Sequence, residues 1–287
     1  LKPKSFLTRA YSAATALIAA ALFSPWPLAA QDAGFGERSI AVNGDERSYI
    51  LHVPPNLARP APIVLIFHGG GGRPEGFASK TGMNDLADRY GFIAVYPAGA
   101  ERASGRGGTW NIGGPMSPSS ADDVGFVRAL LRDVERTAPI DHARIYATGV
   151  SMGGVFSYRL ACEMSETFAA IAPVSATMVE PSCRPHSPVA VLHIHGSDDN
   201  RIPLNGGRGE LTAANRSWPA PQLGISAWSQ LDACHGQPSQ GADGCSTYGQ
   251  CAATVEYCIV PGAGHGWLEG SSARIWEFFA AHPKGAV

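Results

Sequence analysis

The sequence predicts an α/β fold, with a mainly parallel central sheet and helices on both faces. Two observations carry that expectation. Continuous runs of branched and aromatic apolar residues read as strands buried on both sides. These runs alternate along the chain with segments of helical periodicity. The composition agrees: 45% hydrophobic and 16% charged, with 34 glycines and 22 prolines in 287 residues, describes short buried elements joined by many turns. Formal net charge is −2, and no Lys/Arg cluster follows the first residues. The basic stripe of a nucleic-acid binder is therefore missing, and no nucleic-acid partner is expected.

Residues 1–30 read as a signal peptide. Lys2, Lys4 and Arg9 precede a run of small apolar residues over 13–23, then Pro25, Pro27 and the small residues Leu28-Ala29-Ala30. The run is shorter than the ~20 residues of a membrane span, so no stable span is expected after cleavage. The leader carries three basic and no acidic residues; its removal leaves 257 residues and a formal charge of −5. Residues 31–287 are expected to form one catalytic domain of an exported protein, extracellular or periplasmic.

In chain order, residues 39–42 and 47–53 form strands joined by the hairpin dipeptide Asn43-Gly44. Residues 62–67 are a central strand, 83–90 a helix and 92–96 another buried strand. Residues 98–120 lack apolar periodicity and read as a loop. Ser119 and Ser120, each three residues before Asp122 and Asp123, have the spacing of a capping box. Val124, Val127, Leu130, Leu131 and Val134 mark the face of the helix that follows. Strands are expected at 144–148, 168–174, 189–195 and 254–260, and helices at 152–162, 225–231 and 273–281.

Gly149-Val150-Ser151-Met152-Gly153 matches G-x-S-x-G between an expected strand and an expected helix. In that context Ser151 occupies a nucleophile elbow at the carboxyl edge of the sheet, beside the positive end of a helix dipole. A hydroxyl needs a base. His265, in the tight loop Gly262–Trp267 after the last strand, is the best placed of the histidines beyond Ser151. An acid would orient it, and Asp198 and Asp199 compete after the strand ending at His195. His68-Gly69-Gly70-Gly71-Gly72 follows the central strand and can expose amides to an oxyanion; Gly70 and Met152 are the expected donors. A phosphate loop is disfavoured, since no Lys-Ser/Thr follows the glycines. His193 and His195 share a strand face, but a buried pair is preferred to a metal site; no metal or cofactor is expected.

These blocks, with Tyr96-Pro97-Ala98-Gly99, Thr109-Trp110-Asn111 and Asp122–Phe126, resemble the polyhydroxybutyrate depolymerase-like and feruloyl esterase branch of the α/β-hydrolases. The resemblance implies an α/β-hydrolase fold and serine ester hydrolysis. It assigns the acid to Asp199, as the last residue of His-Gly-x-x-Asp, and the base to His265. The substrate class it suggests is a hydroxycinnamoyl ester, with Trp110 and Trp267 offering aromatic surface and the loop 204–222, with Trp218, lining the alcohol side. Hydroxyalkanoate oligomers or acetylated xylan are the alternative substrates, and an inactive hydrolase-fold binding protein is the non-enzyme alternative.

Cys162, Cys183, Cys234, Cys245, Cys251 and Cys258 are expected to form three disulfides in an oxidising compartment, Cys162–Cys183 and two among the last four. No C-x₂-C pair suggests zinc.

Overall fold

A computed structural model describes residues 34–287 except 56, 103–104, 106, 180–181, 212–215, 242–243 and 286–287. The expected leader, 1–30, lies outside the described residues. The first half contains β1 (Gly34–Val42), β2 (Asp45–Val53), β3 (Ala61–Phe67), α1 (Pro74–Thr81), α2 (Met83–Tyr90), β4 (Ile93–Pro97), β5 (Ala100–Glu101) and β6 (Gly108–Thr109). The middle contains α3 (Asp123–Thr137), β7 (Ile140–Val150), α4 (Met152–Glu163), β8 (Ala170–Val174) and β9 (Ala190–Gly196). Then come α5 (Pro221–Leu231), β10 (Ser239–Gln240), β11 (Cys245–Tyr248), β12 (Val255–Val260) and α6 (Ser271–Ala281).

Ten strands make one sheet in the order β1-β2-β4-β3-β7-β8-β9-β12-β11-β10. The six from β4 to β12 are mutually parallel, and antiparallel strands flank them on both edges. All of β3 is buried, as a strand covered on two faces must be. Its side chains alternate between layers. Ile63, Leu65 and Phe67 pack with residues of α3, α4 and α5, whereas Val64 and Ile66 pack with residues of α1, α2 and α6. The chain leaves β3 for β4 on one side and returns to β7 on the other. Such a reversal opens a crevice at the carboxyl ends of the strands, here those of β3 and β7.

The Asn43-Gly44 turn forms as expected, with φ of 52° and 91°. The start of α3 differs from expectation. Asp122, not a serine, caps it, accepting from the Gly125 amide at 2.8 Å, while its other oxygen accepts from Asn43 at 2.8 Å. Asp123 is buried and bound to Arg47 at 2.6 Å and to the Asn111 amide at 2.6 Å. Ser119 instead accepts from Ala121 within its own loop.

Helix α1 and strands β5, β6, β10 and β11 lie where no element was expected. In α1 only Pro74, Phe77, Ala78 and Thr81 are buried, too few to print a stripe. β11 is polar, and its place is fixed by pairing Cys245 opposite Cys258. The disulfides are Cys162–Cys183, Cys234–Cys251 and Cys245–Cys258, in line with the expected local loop and two bridges among the last four. No helix among the described residues is long and apolar enough to cross a membrane.

Asp232, at the end of α5, is buried and accepts from Trp228 Nε1 at 3.0 Å, while its Oδ1 has no partner. Burial pushes its pKa up from 3.8 to about 7. The folded state thus holds a proton that the unfolded chain releases. The associated stability is complete below 3.8 and is lost as pH rises through about 7. Asp232→Asn keeps the acceptor without the ionisation. Urea denaturation should find the variant more stable than the parent by about 1–3 kcal/mol at alkaline pH, with the gap closing on acidification. A parent that is equally stable at alkaline pH would exclude a neutral Asp232.

Candidate active site

Ser151 sits between β7 and α4 with φ 55° and ψ −121°, a conformation unusual for a residue with a side chain. Neighbouring backbone enforces it. A Cβ at Gly149 would lie 2.6 Å from the Phe67 carbonyl oxygen, and one at Gly153 would lie 2.2 Å from the same atom. Only glycine lets the elbow approach the end of β3 this closely. The Ser151 amide donates to the Val174 carbonyl at 2.9 Å, tying the elbow to β8.

Asp199 follows β9 and is buried. It accepts from the amides of Arg201 and Ile202, both at 2.9 Å, and from His265 Nδ1 at 2.8 Å. His195 Nε2 is 3.3 Å from its second oxygen. Despite burial, these donors hold its carboxyl well below the usual carboxylate range. Asp198 instead accepts from Ser197 at 2.7 Å in an exposed turn.

Behind Asp199 runs a buried chain of hydrogen bonds. His195 Nε2 lies 2.9 Å from the Ile202 carbonyl, which only accepts, so that nitrogen carries the proton. His195 Nδ1 then accepts from His193 Nε2 at 3.0 Å, and His193 Nδ1 accepts from the Tyr158 hydroxyl at 2.7 Å. Burial and His195 keep the His193 pKa well below its usual value. The ring nitrogens of both histidines are satisfied by protein groups, so the pair is a structural relay.

The glycine loop after β3 is held by the residue that opens it. His68 is buried; its Nδ1 bonds the Gly69 carbonyl at 2.8 Å and its Nε2 accepts from the Gly99 amide at 3.0 Å. Burial lowers its pKa. The amides of Gly71 and Gly72 donate to Gly108 and Gly69, whereas among the described residues Gly70 donates to no loop carbonyl. Met152 opens α4, where an amide has no intrahelical acceptor. Gly70 and Met152 are adjacent: a Cβ at Gly70 would lie 2.9 Å from Met152 Cγ.

Two expected substrate contacts are corrected. Trp110 is fully buried, stacks on Phe156 at 5.2 Å and donates to the His68 carbonyl at 2.8 Å. It supports the loop from within and offers no surface. Trp267 packs edge-on against Phe77 at 5.3 Å and donates to Ser272 at 2.9 Å. Neither lines the cleft of about 310 Å³ beside Ser151, whose walls include Gly70, Met152 and Trp218.

Among the described residues no hydrogen bond joins Ser151 to His265, although catalytic contacts often shorten only when substrate is bound. One residue ties the two loops together. Ser175, buried with φ 47°, follows the Val174 that holds Ser151. Its hydroxyl donates to the Gly266 carbonyl at 3.0 Å and accepts from the Gly266 amide at 3.3 Å, next to His265. Nothing in a lone serine at a strand end marks this role in the sequence.

Residues 47–207 match the family model for esterase PHB depolymerase. Feruloyl esterase B of Piromyces equi is 28% identical over 244 residues, covering 81% of this chain and 44% of that protein. The chain thus spans less than half the length of that relative. Feruloyl esterase C of Emericella nidulans is 28% identical over 265 residues, covering 88% of this chain and 92% of that protein. Among solved structures, the acetyl xylan esterase from Aspergillus awamori superposes with a TM-score of 0.64 at 16% identity, covering 85% of this chain and 99% of the other. That likeness shows a shared α/β-hydrolase fold. With the family model spanning more than half of the sequence, including the elbow, the glycine loop and Asp199, the chain belongs to the esterase PHB depolymerase family.

Proposed function

We propose that the chain is an exported serine carboxylic-ester hydrolase, built as one catalytic domain, that cleaves hydroxycinnamoyl esters of the feruloyl type. Ser151 attacks the ester carbonyl while His265 Nε2 takes its proton. The tetrahedral oxyanion is bound by the amides of Gly70 and Met152, each contributing ~3–4 kcal/mol at most. His265 returns the proton to the leaving alcohol. Water then repeats the cycle on the acyl-enzyme and releases the acid.

The observation that carries this reading is the bond from His265 Nδ1 to Asp199 at 2.8 Å. Held there, the imidazole has Nε2 free to accept a proton, and the carboxylate stabilises the imidazolium that forms. The relatives named feruloyl esterase B and C support the acyl group. Trp218, which lines the cleft, offers aromatic surface in place of Trp110 and Trp267. Three disulfides support an oxidising compartment outside the cytoplasm.

Ser151→Ala should lower kcat on methyl ferulate by at least ~10⁴-fold, and an organophosphonate should label the parent at Ser151. Full activity in the variant would exclude the mechanism. Faster turnover of acetylated xylan or 3-hydroxybutyrate oligomers than of methyl ferulate would reassign the acyl group.

Ser175→Ala and Ser175→Gly test the link between the loops. Both remove the hydroxyl, and glycine also relieves the positive φ. Each should lower kcat about tenfold with little change in KM, as expected for loss of orientation in the transition state. Rescue by glycine alone would instead trace the effect to backbone strain.

A further inference from the structure

The cleft beside Ser151 is lined by Arg102, Arg201 and Arg216 and, among the described residues, by no carboxylate. Arg216 is half-buried. Its guanidinium lies 5.1 Å from the centre of the Trp218 ring, and its Nη1 lies 3.7 Å from the sulfur of Met152, the residue next to Ser151. Elsewhere, Arg47, Arg144, Arg159 and Arg274 each pair with a carboxylate. Among the described residues neither Arg102 nor Arg216 has such a partner; burial, and then the like charge of Arg102, lowers the Arg216 pKa from its usual value. A guanidinium keeps its positive charge under ordinary conditions.

Two cations in a half-buried cleft repel each other, and desolvation adds to the cost. An anion between them removes the repulsion, and a carboxylate matches the donor fork of a guanidinium. Trp218 supplies an apolar wall beside the charge, so the cleft suits a carbon skeleton that ends in a carboxylate. Resting on the ester-hydrolase reading, we propose that, among the esters it cleaves, the site favours those carrying a carboxylate, held by Arg216 and Arg102 beside the scissile group.

The test compares carboxylates with their carboxamide isosteres. Methyl hydrogen succinate against methyl succinamate places the charge in the acyl part; 4-acetoxybenzoate against 4-acetoxybenzamide places it in the alcohol part. In at least one pair, kcat/KM at low ionic strength should favour the carboxylate about tenfold, falling toward parity in ~0.5 M salt. The ratio should also fall toward parity in the Arg102→Gln/Arg216→Gln double variant. No carboxylate preference in either pair overturns the proposal, as does a preference that survives the double substitution.

Binding separates this proposal from the hydrolase reading. Calorimetric titration of Ser151→Ala with succinate and with 4-hydroxybenzoate should show binding of at least one, weakened about tenfold when both arginines are replaced. Arginine-dependent binding without turnover of methyl ferulate or of any of the four esters would defeat the hydrolase reading and leave the anion site standing. Turnover without arginine-dependent binding would do the reverse.

Discussion

The carbonyl of Phe67 is the point on which the site is assembled. Three stretches of backbone converge there: the end of β3, the end of β7 and the first turn of α4. The spacing leaves no room for a Cβ at 149 or 153, so the elbow and the glycine loop are fixed relative to each other by contact. Phe67, Trp110 and Phe156 pack beneath, with ring centres 5.1 to 5.2 Å apart. The core therefore reaches to within one residue of His68 and the glycines. Such close packing resists displacement, because interiors at this density have little space to yield.

A second constraint acts from the other side of the sheet's edge. The hydrogen bonds from Tyr158 through His193 to His195 run in one direction, with each donor facing the next acceptor. Asp199 lies at their end and also receives two amides and His265. A proton on this carboxyl would displace a donor, so the ionised state is set by the count of donors around it. Thus the fold selects both the charge of Asp199 and the tautomer of the His265 that it holds.

Much of this was legible because the chemistry demands residues that leave marks. Glycines flanking Ser151 report a close approach, and the long apolar runs of β3 and β9 report burial on both faces. Choosing Asp199 over Asp198 needed the family resemblance, since adjacent aspartates look alike until one is seen turned inward. Other features left no mark. A tryptophan next to a catalytic loop looks the same whether it faces ligand or core, and Trp110 faces the core. Ser175 acts through two bonds to a backbone 91 residues away, and Arg102 and Arg216 meet only because distant loops fold over one cleft. Periodicity reports local burial; it carries no information about which distant segments come together.

The two C-terminal disulfides bear on how separate molecules meet. A parallel sheet that ended at β12 would present an unpaired row of amides and carbonyls to solvent, open to a strand from another molecule. β11 covers that row and is bonded to it covalently through Cys245 and Cys258. β10 finishes the edge with two exposed residues, too short to seed a longer ladder. The disulfide thus fastens in place the strand that covers this edge.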